Sequence, residues 1–192
     1  MQDTNFDLVV IGAGPGGYHA AIRGTQLGLK TAVVEKDDGT GIGGVGGVCL
    51  NWGCIPTKAL LKQAEVFNLV QRADEFGIEV GKVKANWHKI IGRSRAVADG
   101  LANGVSYLMK KNKIEIVSGQ GRITPSKKVE VANENDDFTE TLETSNIIIA
   151  TGSKPKTIPG VEIDANTVLS SKESMVLDAQ PKSLLIIGAG AI

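Results

Sequence analysis

The chain has 192 residues, and its 21 Lys and Arg balance its 21 Asp and Glu to a formal net charge of zero. This balance argues against a protein that binds nucleic acid through a basic face, and 42% hydrophobic with 22% charged residues argues against intrinsic disorder. Two cysteines are too few for a disulfide-stapled secreted scaffold, and no apolar run approaches the about 20 residues of a membrane span.

The first predicted elements form a strand–helix–strand unit. Residues 6–11 (FDLVVI) are an apolar run typical of a buried parallel strand. Residues 15–27 carry a helical pattern with a proline in the first turn, where its missing N–H costs least. Residues 31–34 (TAVV) predict the second strand, which Glu35 closes. The glycine turn between the first strand and the helix completes a βαβ unit.

The middle of the chain is predicted to contain a loop, two helices and a small antiparallel meander. Residues 39–48 hold six glycines in ten, which predicts a loop. Residues 49–73 predict a helix, and apolar residues spaced by three, four or seven between Ile90 and Leu108 predict a long amphipathic one. Short antiparallel strands are predicted at 114–117, 128–131 and 139–143, with a turn at 133–137 and a buried strand at 146–150.

The last part of the chain predicts a domain crossing followed by a new strand. Residues 153–182 contain three of the six prolines and little periodicity, which favours a linker. Residues 183–187 (SLLII) predict a strand, and the Gly-Ala-Gly that follows repeats the opening of the chain. We therefore expect one dinucleotide-binding domain over 1–152. Over 153–192 we expect a crossing segment and the start of a second, incomplete domain, so that the chain is a fragment.

A dinucleotide-binding motif stands at the first glycine turn, where residues 12–17 (GAGPGG) follow the predicted strand. Gly12 makes the tight turn, Gly14 lets the backbone approach a pyrophosphate, and Gly17 lets helix and strand pack closely. The N-terminus of the following helix attracts phosphate, and Glu35 lies where an acid is expected to bind a ribose hydroxyl. The alternatives are a glycine turn without a ligand and, for Glu35, a solvated charge at a strand end.

The two cysteines form the second motif, CLNWGC, with Cys49 and Cys54 at its ends. In an ideal helix, residues i and i+5 have Cα atoms about 8 to 9 Å apart, whereas a disulfide needs about 4.4 to 6.8 Å. A bridge therefore requires a distorted first turn, which Asn51 and Gly53 permit. Because a strained, accessible disulfide is easily reduced, the pair is interpreted as redox-active. The alternatives are two unrelated buried thiols or half of a zinc site.

A third candidate residue is Lys58, which follows Cys54 by one helical turn and so shares its face. A cation there is suited to stabilise the Cys54 thiolate or a reduced, anionic flavin, and the alternative is an ordinary surface lysine. The two histidines, His19 and His88, are isolated from each other and from the cysteines, and no metal site is predicted.

Several segments together resemble one family. Residues 46–61 (GGVCLNWGCIPTKALL) closely resemble the redox-active segment of the dihydrolipoyl dehydrogenases, a branch of the class I pyridine nucleotide–disulfide oxidoreductases. Residues 10–18, 147–153 and 185–192 also look like that family, in the same order along the chain. Glutathione and mercuric reductases share the architecture, but the CLNxGCIPTK pattern looks most like the lipoyl enzymes.

The resemblance implies a Rossmann-like α/β domain that binds FAD on a parallel sheet, with an antiparallel β-meander, followed by a second Rossmann domain for NAD. It implies that Cys49 takes a mixed disulfide with substrate, that Cys54 faces the flavin as a thiolate, and that Lys58 lies near the reactive flavin nitrogen. The other residues implied to contact FAD are Gly12, Gly14, Gly17, Glu35, Gly46, Gly47, Val48, Gly121, Thr151, Gly152 and Ser153, and those implied to begin the NAD site are Gly188 and Gly190.

The resemblance also implies a function: oxidation of dihydrolipoyl groups on the carrier protein of a 2-oxoacid dehydrogenase or glycine-cleavage complex. We expect a cytoplasmic homodimer at full length, with no nucleic acid or membrane partner. Since the family's catalytic histidine is expected beyond Ile192, this chain alone is expected to be inactive. The alternatives are a non-catalytic FAD-binding module and a glutathione- or mercuric-type reductase. The interval from Glu35 to Cys49, with the glycine-rich stretch 39–48, looks several residues longer than the family pattern. Such an insertion is either an exposed loop, which costs little, or a change that disturbs the pyrophosphate pocket.

Overall fold

The computed structural model describes residues 4–36, 44–133, 135–156 and 158–190. Within these ranges the chain forms six strands and five α-helices, and a short 3-10 turn follows the third helix. Their bounds, in chain order, are β1 Asn5–Ile11, α1 Pro15–Gln26, β2 Thr31–Glu35, α2 Gly47–Trp52, α3 Cys54–Gln71, the 3-10 turn Ala73–Phe76, α4 Trp87–Lys111, β3 Glu115–Ser118, β4 Gln120–Ile123, β5 Val129–Ala132, β6 Phe138–Ile149 and α5 Ser171–Ser174.

The chain divides into two compact units. The first consists of Met1–Asn51 and Asp99–Lys154 and holds all six described strands. The second consists of Trp52–Ala98 and Pro155–Ile192 and holds α3, the first half of α4 and α5. None of the helices in the described ranges is both long enough and apolar enough to cross a lipid bilayer. The expected division of the chain at residue 152 stays a prediction.

The strands of the first unit lie in the order β3-β2-β1-β6-β5-β4. β1 pairs in parallel with β2 and with β6, and β2 pairs in parallel with β3. β4, β5 and the first part of β6 form an antiparallel meander. The predicted α/β class, a parallel sheet with an antiparallel meander, is confirmed.

The two central parallel strands, β1 and β2, read as nearly continuous apolar runs because most of their residues are buried. On one face, Leu8 and Val10 of β1 lie against glycines of α1. On the other face, an apolar cluster joins the parallel strands to the meander. Its buried members are Phe6, Val9, Ile11, Ala32, Val34, Val117, Val129, Val131 and Leu142.

Three predicted strands differ from those observed. Residues 114–117 lie in β3, which is parallel to β2 rather than antiparallel, because the alternation of side chains reveals a strand but not its direction. Residues 139–143 and 146–150 belong to one strand, β6, whose first part pairs with β5 and whose second part pairs with β1. The polar strand β4 carries no alternating pattern and escaped prediction.

The predicted strand at 183–187 is wrong. These residues have no regular structure, and the side chains of Leu185 and Ile186 are 89% and 79% exposed. A parallel strand needs a neighbour for its N–H and C=O groups, and no strand in the described ranges pairs with this segment. Its apolar composition alone was therefore insufficient to form the strand.

The helical prediction for 49–73 is corrected at Gly53, where α2 ends and α3 begins. The predicted glycine-rich loop is also shorter than expected, because α2 already begins at Gly47. Residues 39–43, which are half of that loop and of the proposed insertion at 39–48, lie outside the described residues.

The buried side chain of Leu142 on β6 is expected to contribute strongly to the stability of the meander. Leu142 is 1% exposed in the apolar cluster, so Leu142→Ala is expected to lower the free energy of unfolding by about 2–5 kcal/mol. The matched control is Ile123→Ala on β4, whose side chain is 45% exposed and whose loss is expected to cost less than about 1 kcal/mol. Urea denaturation followed by circular dichroism measures both, and similar costs for the two variants would contradict this account of the core.

Candidate functional site

The carboxyl ends of β1 and β6 meet at the first glycine turn. Gly12 follows β1 with a φ of +106°, a conformation that favours glycine, and its N–H donates to the Val34 carbonyl at 2.8 Å. A Cβ at Gly12 would lie 2.2 Å from the Ala150 carbonyl oxygen, and one at Gly17 would lie 1.7 Å from the Gly12 oxygen. Both glycines are therefore required by contacts within the protein itself.

Gly14 differs from its two neighbours in the motif. It caps α1 with φ −70° and ψ −177°, an extended conformation that any residue adopts. Among the residues that the structure describes, a Cβ there would meet only the Gly47 Cα, at an ordinary contact distance of 3.8 Å. Neither backbone conformation nor packing explains a glycine at this position. Close approach of a ligand to the backbone at the N-terminus of a 12-residue helix does explain it.

Glu35 lies beside the same turn. It ends β2, and one oxygen of its carboxylate accepts a hydrogen bond from the Ala13 N–H inside the glycine motif. The half-buried Glu35 therefore lies at the glycine motif, as the sequence predicted. Its binding to a ribose hydroxyl stays a prediction.

The segment before the cysteines packs directly on the glycine motif. The Gly46 N–H donates to the Ala13 carbonyl at 2.9 Å, and a Cβ at Gly47 would lie 2.7 Å from the Gly14 Cα. Gly47 also has a positive φ of +59°. Two backbones thus touch at Gly14 and Gly47, with no room for a side chain on Gly47 between them.

The side chain of Asn51 fixes the segment before the cysteines through a hydrogen bond. Its side chain is fully buried, and its Nδ2 donates to the Val45 carbonyl at 3.0 Å. Sequence reasoning assigned Asn51 only a tolerance of distorted backbone and missed this hydrogen bond. The available signal was an amide side chain in an otherwise apolar helical turn between two cysteines.

The two cysteines lie on either side of the helix break. Cys49 is half-buried on α2, and Cys54 is the exposed first residue of α3. Both residues are thiols in the structure rather than a disulfide. The interruption at Gly53 gives the distorted helical start that the spacing required, and the disulfide itself stays a prediction.

Tyr18 is a neighbour of Cys49 that sequence reasoning left without a role. It lies on α1 directly after the glycine motif, and its side chain is half-buried. Burial raises the pKa of the Tyr18 phenol above its ordinary value, and negative charge on Cys49 raises this pKa further. The phenol therefore stays protonated at neutral pH and adds no negative charge beside the thiol.

The remaining predicted residues of the first unit lie around the ends of the strands. Gly121 of β4 packs on the apolar cluster, where a Cβ would lie 3.2 Å from Ile11 and 3.3 Å from Val34, so packing alone explains this glycine. Thr151, Gly152 and Ser153 are exposed and lie just beyond β6, after Ala150, whose N–H donates to the Ile11 carbonyl at 2.8 Å. Val48 is exposed on α2. Their contacts with FAD stay predictions.

The other predicted residues belong to the second unit. Lys58 is exposed on α3, one turn after Cys54, and Gly188 and Gly190 are exposed in the segment that lacks regular structure. A cavity of about 470 Å³ also lies in this unit, between α3 and the start of α4, but it is lined by none of the predicted site residues. In the part of the chain that the structure describes, no three His, Cys, Asp or Glu side chains gather into a metal-binding group.

Comparison with known proteins gives one consistent answer. The family model described as pyridine nucleotide-disulphide oxidoreductase matches residues 6–192. A dihydrolipoyl dehydrogenase of Bacillus subtilis (strain 168) is 46% identical over 196 residues, which covers 98% of this chain and 40% of that protein. A mitochondrial dihydrolipoyl dehydrogenase of Bos taurus is 42% identical over 193 residues, which covers 100% of this chain and 37% of that protein.

A solved structure shows the same fold. The crystal structure of LpdA from Mycobacterium tuberculosis superposes with a TM-score of 0.76 at 21% identity, covering 92% of this chain and 38% of that one. The chain therefore spans about two fifths of the length of these relatives. Since the family model matches nearly every residue, this chain belongs to the pyridine nucleotide–disulfide oxidoreductase family.

Proposed function

We propose that this chain carries the flavin-binding and disulfide-bearing part of a dihydrolipoyl dehydrogenase. The observation that carries the proposal is Gly14, a glycine that neither conformation nor packing requires, at the N-terminus of the helix that follows β1. The relatives that are 42% to 46% identical bear this enzyme's name, which supports the same assignment here. Because the chain spans about 40% of the Bacillus subtilis relative, we propose the activity for a polypeptide that contains these residues.

The residues of the first unit fit a dinucleotide such as FAD. The backbone at Gly14 leaves space for a pyrophosphate, and the N-terminus of α1 supplies partial positive charge beside it. The Glu35 carboxylate lies at the same loop, where it would accept a hydrogen bond from a ribose hydroxyl while retaining the Ala13 N–H. When bound, FAD would accept an electron pair from the cysteine pair and pass it to NAD⁺ as hydride.

The cysteines would carry out thiol–disulfide exchange. With Cys49 and Cys54 joined, one thiolate of a dihydrolipoyl group attacks the Cys49 sulfur, forming a mixed disulfide and releasing Cys54 as a thiolate. The second substrate thiolate then attacks the substrate sulfur of that mixed disulfide and releases Cys49. The substrate leaves as a cyclic disulfide, two electrons have moved to the protein, and both cysteines are reduced.

Two further residues would support this chemistry. Lys58 shares the face of α3 with Cys54, so its ammonium group would favour the Cys54 thiolate or a nearby reduced flavin. Tyr18 would stay a neutral phenol beside Cys49, since burial and the Cys49 charge both raise its pKa. We further propose that the complete protein works as a cytoplasmic homodimer on a lipoyl-bearing carrier protein.

Substitutions of Gly14 and Gly12 are expected to have different effects, the first on FAD affinity and the second on stability. Gly14→Ala is expected to change the free energy of unfolding by less than about 1 kcal/mol while lowering FAD affinity at least about tenfold, because the new methyl group would occupy the pyrophosphate position. Gly12→Ala is expected to lower the free energy of unfolding by more than about 3 kcal/mol, because its Cβ would strike the Ala150 carbonyl. Urea denaturation and quenching of flavin fluorescence give the two readouts. Undiminished FAD affinity in Gly14→Ala would overturn the dinucleotide site.

The redox proposal is tested in the natural gene product that contains these residues. Cys49→Ser or Cys54→Ser is expected to lower the rate of dihydrolipoyl oxidation at least about a thousandfold, since neither variant can form the disulfide. FAD content serves as the folding control for both variants. A variant with full flavin content and near-normal turnover would refute the exchange mechanism.

Lys58→Ala is expected to lower the turnover rate and to shift the visible absorption of the two-electron-reduced enzyme, because it removes a cation beside the thiolate. Lys62→Ala, one turn further along α3, removes a cation that pairs with Glu65 at 3.0 Å and is expected to leave both readouts unchanged. Equal behaviour of the two variants would make Lys58 an ordinary surface residue.

A further inference from the structure

Trp52 occupies the position between the two cysteines and has no role in the proposed chemistry so far. It is the last residue of α2 and directly precedes Gly53, at which the helical run breaks before Cys54. Its side chain is half-buried. Any restraint on Trp52 therefore acts on the turn through which the chain must bend to join Cys49 to Cys54.

Two cations of the second unit hold the Trp52 ring. The Arg95 guanidinium carbon lies 4.3 Å from the ring centroid, and the Lys172 ammonium nitrogen lies 4.5 Å from it. Both distances are well within the about 6 Å over which a cation is attracted to the face of an indole ring. Among aromatic side chains, the indole ring of tryptophan attracts cations most strongly, so a tryptophan is the residue best suited to this position.

The elements that carry these cations are themselves fixed. Lys172 lies on α5, which begins with a capping box in which Ser170 and Glu173 satisfy each other's backbone N–H groups. Just after α5, the Met175 sulfur accepts a hydrogen bond from Thr57 Oγ1 at 3.8 Å, which ties this segment to the first turns of α3.

The same segment is also tied to α4. The Leu177 carbonyl accepts a hydrogen bond from Trp87 Nε1 at 2.6 Å, at the first residue of α4. Arg95 lies further along α4, directly after the buried Ser94. The cation partners of Trp52 thus come from two elements that are joined to each other and to α3.

We propose that Trp52 is a positioning residue for the cysteine pair: with the cations of Arg95 and Lys172 over its ring, it holds the turn from Asn51 to Cys54 and thereby raises the effective concentration of one thiol at the other. This inference rests on the proposed redox function. Disulfide closure demands a narrow range of Cα separations, so a turn that is already held loses less conformational freedom when the bond forms.

The test is the equilibrium of the cysteine pair with glutathione, measured in the natural gene product that contains these residues. Two glutathione thiols reduce the Cys49–Cys54 bond, yielding two cysteine thiols and one glutathione disulfide. Alkylation followed by mass spectrometry counts the two protein states. Trp52→Leu is expected to shift this equilibrium about tenfold towards the dithiol, whereas Trp52→Phe, which keeps an aromatic face, is expected to shift it less than about threefold.

Matched variants separate positioning from general loosening. Arg72→Gln removes the ion pair with Glu75 at 2.6 Å, in the same unit but away from Trp52 and its two cations, and is expected to leave the glutathione equilibrium within about twofold of wild type even if the melting temperature falls. The double variant Arg95→Gln with Lys172→Gln removes both cations, keeps the indole and is expected to reproduce the shift of Trp52→Leu. It also keeps the inference testable if Trp52→Leu fails to fold.

Each contrary outcome has a distinct meaning. An unchanged equilibrium in the double variant, or an equal shift in Arg72→Gln, would overturn the positioning role. Measurements at pH 6 and pH 8 should give the same shift, and a shift seen only at pH 8 would assign the effect to thiolate charge and would likewise overturn it. If the wild-type protein keeps two thiols in excess glutathione disulfide, the proposed redox function itself fails rather than this inference.

Discussion

Backbone segments lie in direct contact around the ends of the parallel strands β1 and β6. Gly12, Gly17 and Gly47 each lie where a Cβ would fall under 3 Å from main-chain atoms of another segment. These contacts fix the positions of the helix α1, the end of β6 and the turn before α2 around a single point. A side chain at any of these positions would force the segments apart, so the geometry of the candidate site depends on the absence of three methyl groups.

The glycines of one motif therefore serve different physical purposes. Gly12 and Gly17 satisfy contacts inside the protein, whereas Gly14 has ordinary backbone angles, and a Cβ on Gly14 would meet the Gly47 Cα at an ordinary 3.8 Å. A motif written as a string of identical letters hides this division. The distinction matters for interpretation, since contacts among the described residues account for Gly12 and Gly17 but not for Gly14.

Sequence patterns predicted the βαβ unit well because local signals and tertiary contacts agree there. The apolar run of β1, the proline of α1 and the acid after β2 each report a feature of a single element or turn. The predictions were poorer where structure depends on a distant partner. The direction of β3, the continuity of β6 and the absence of structure at 183–187 are all decided by which strand lies alongside, and residue periodicity does not record that. In the site, the hydrogen bond of Asn51 and the pairing of Trp52 with Arg95 and Lys172 escaped prediction for the same reason.

The strand β6 is long enough to extend from the turn of the meander to the glycine motif. Its 12 residues extend from the exposed turn at Asp136 and Asp137 to the crowded end at Ala150, a distance of about 40 Å at the usual rise per residue. The turn and the glycine motif thus lie at opposite ends of one rigid element within the first unit. A fluorescent dye or an inserted peptide tag at that turn would accordingly be remote from the glycine motif, which makes the turn a natural attachment point for spectroscopy on this protein.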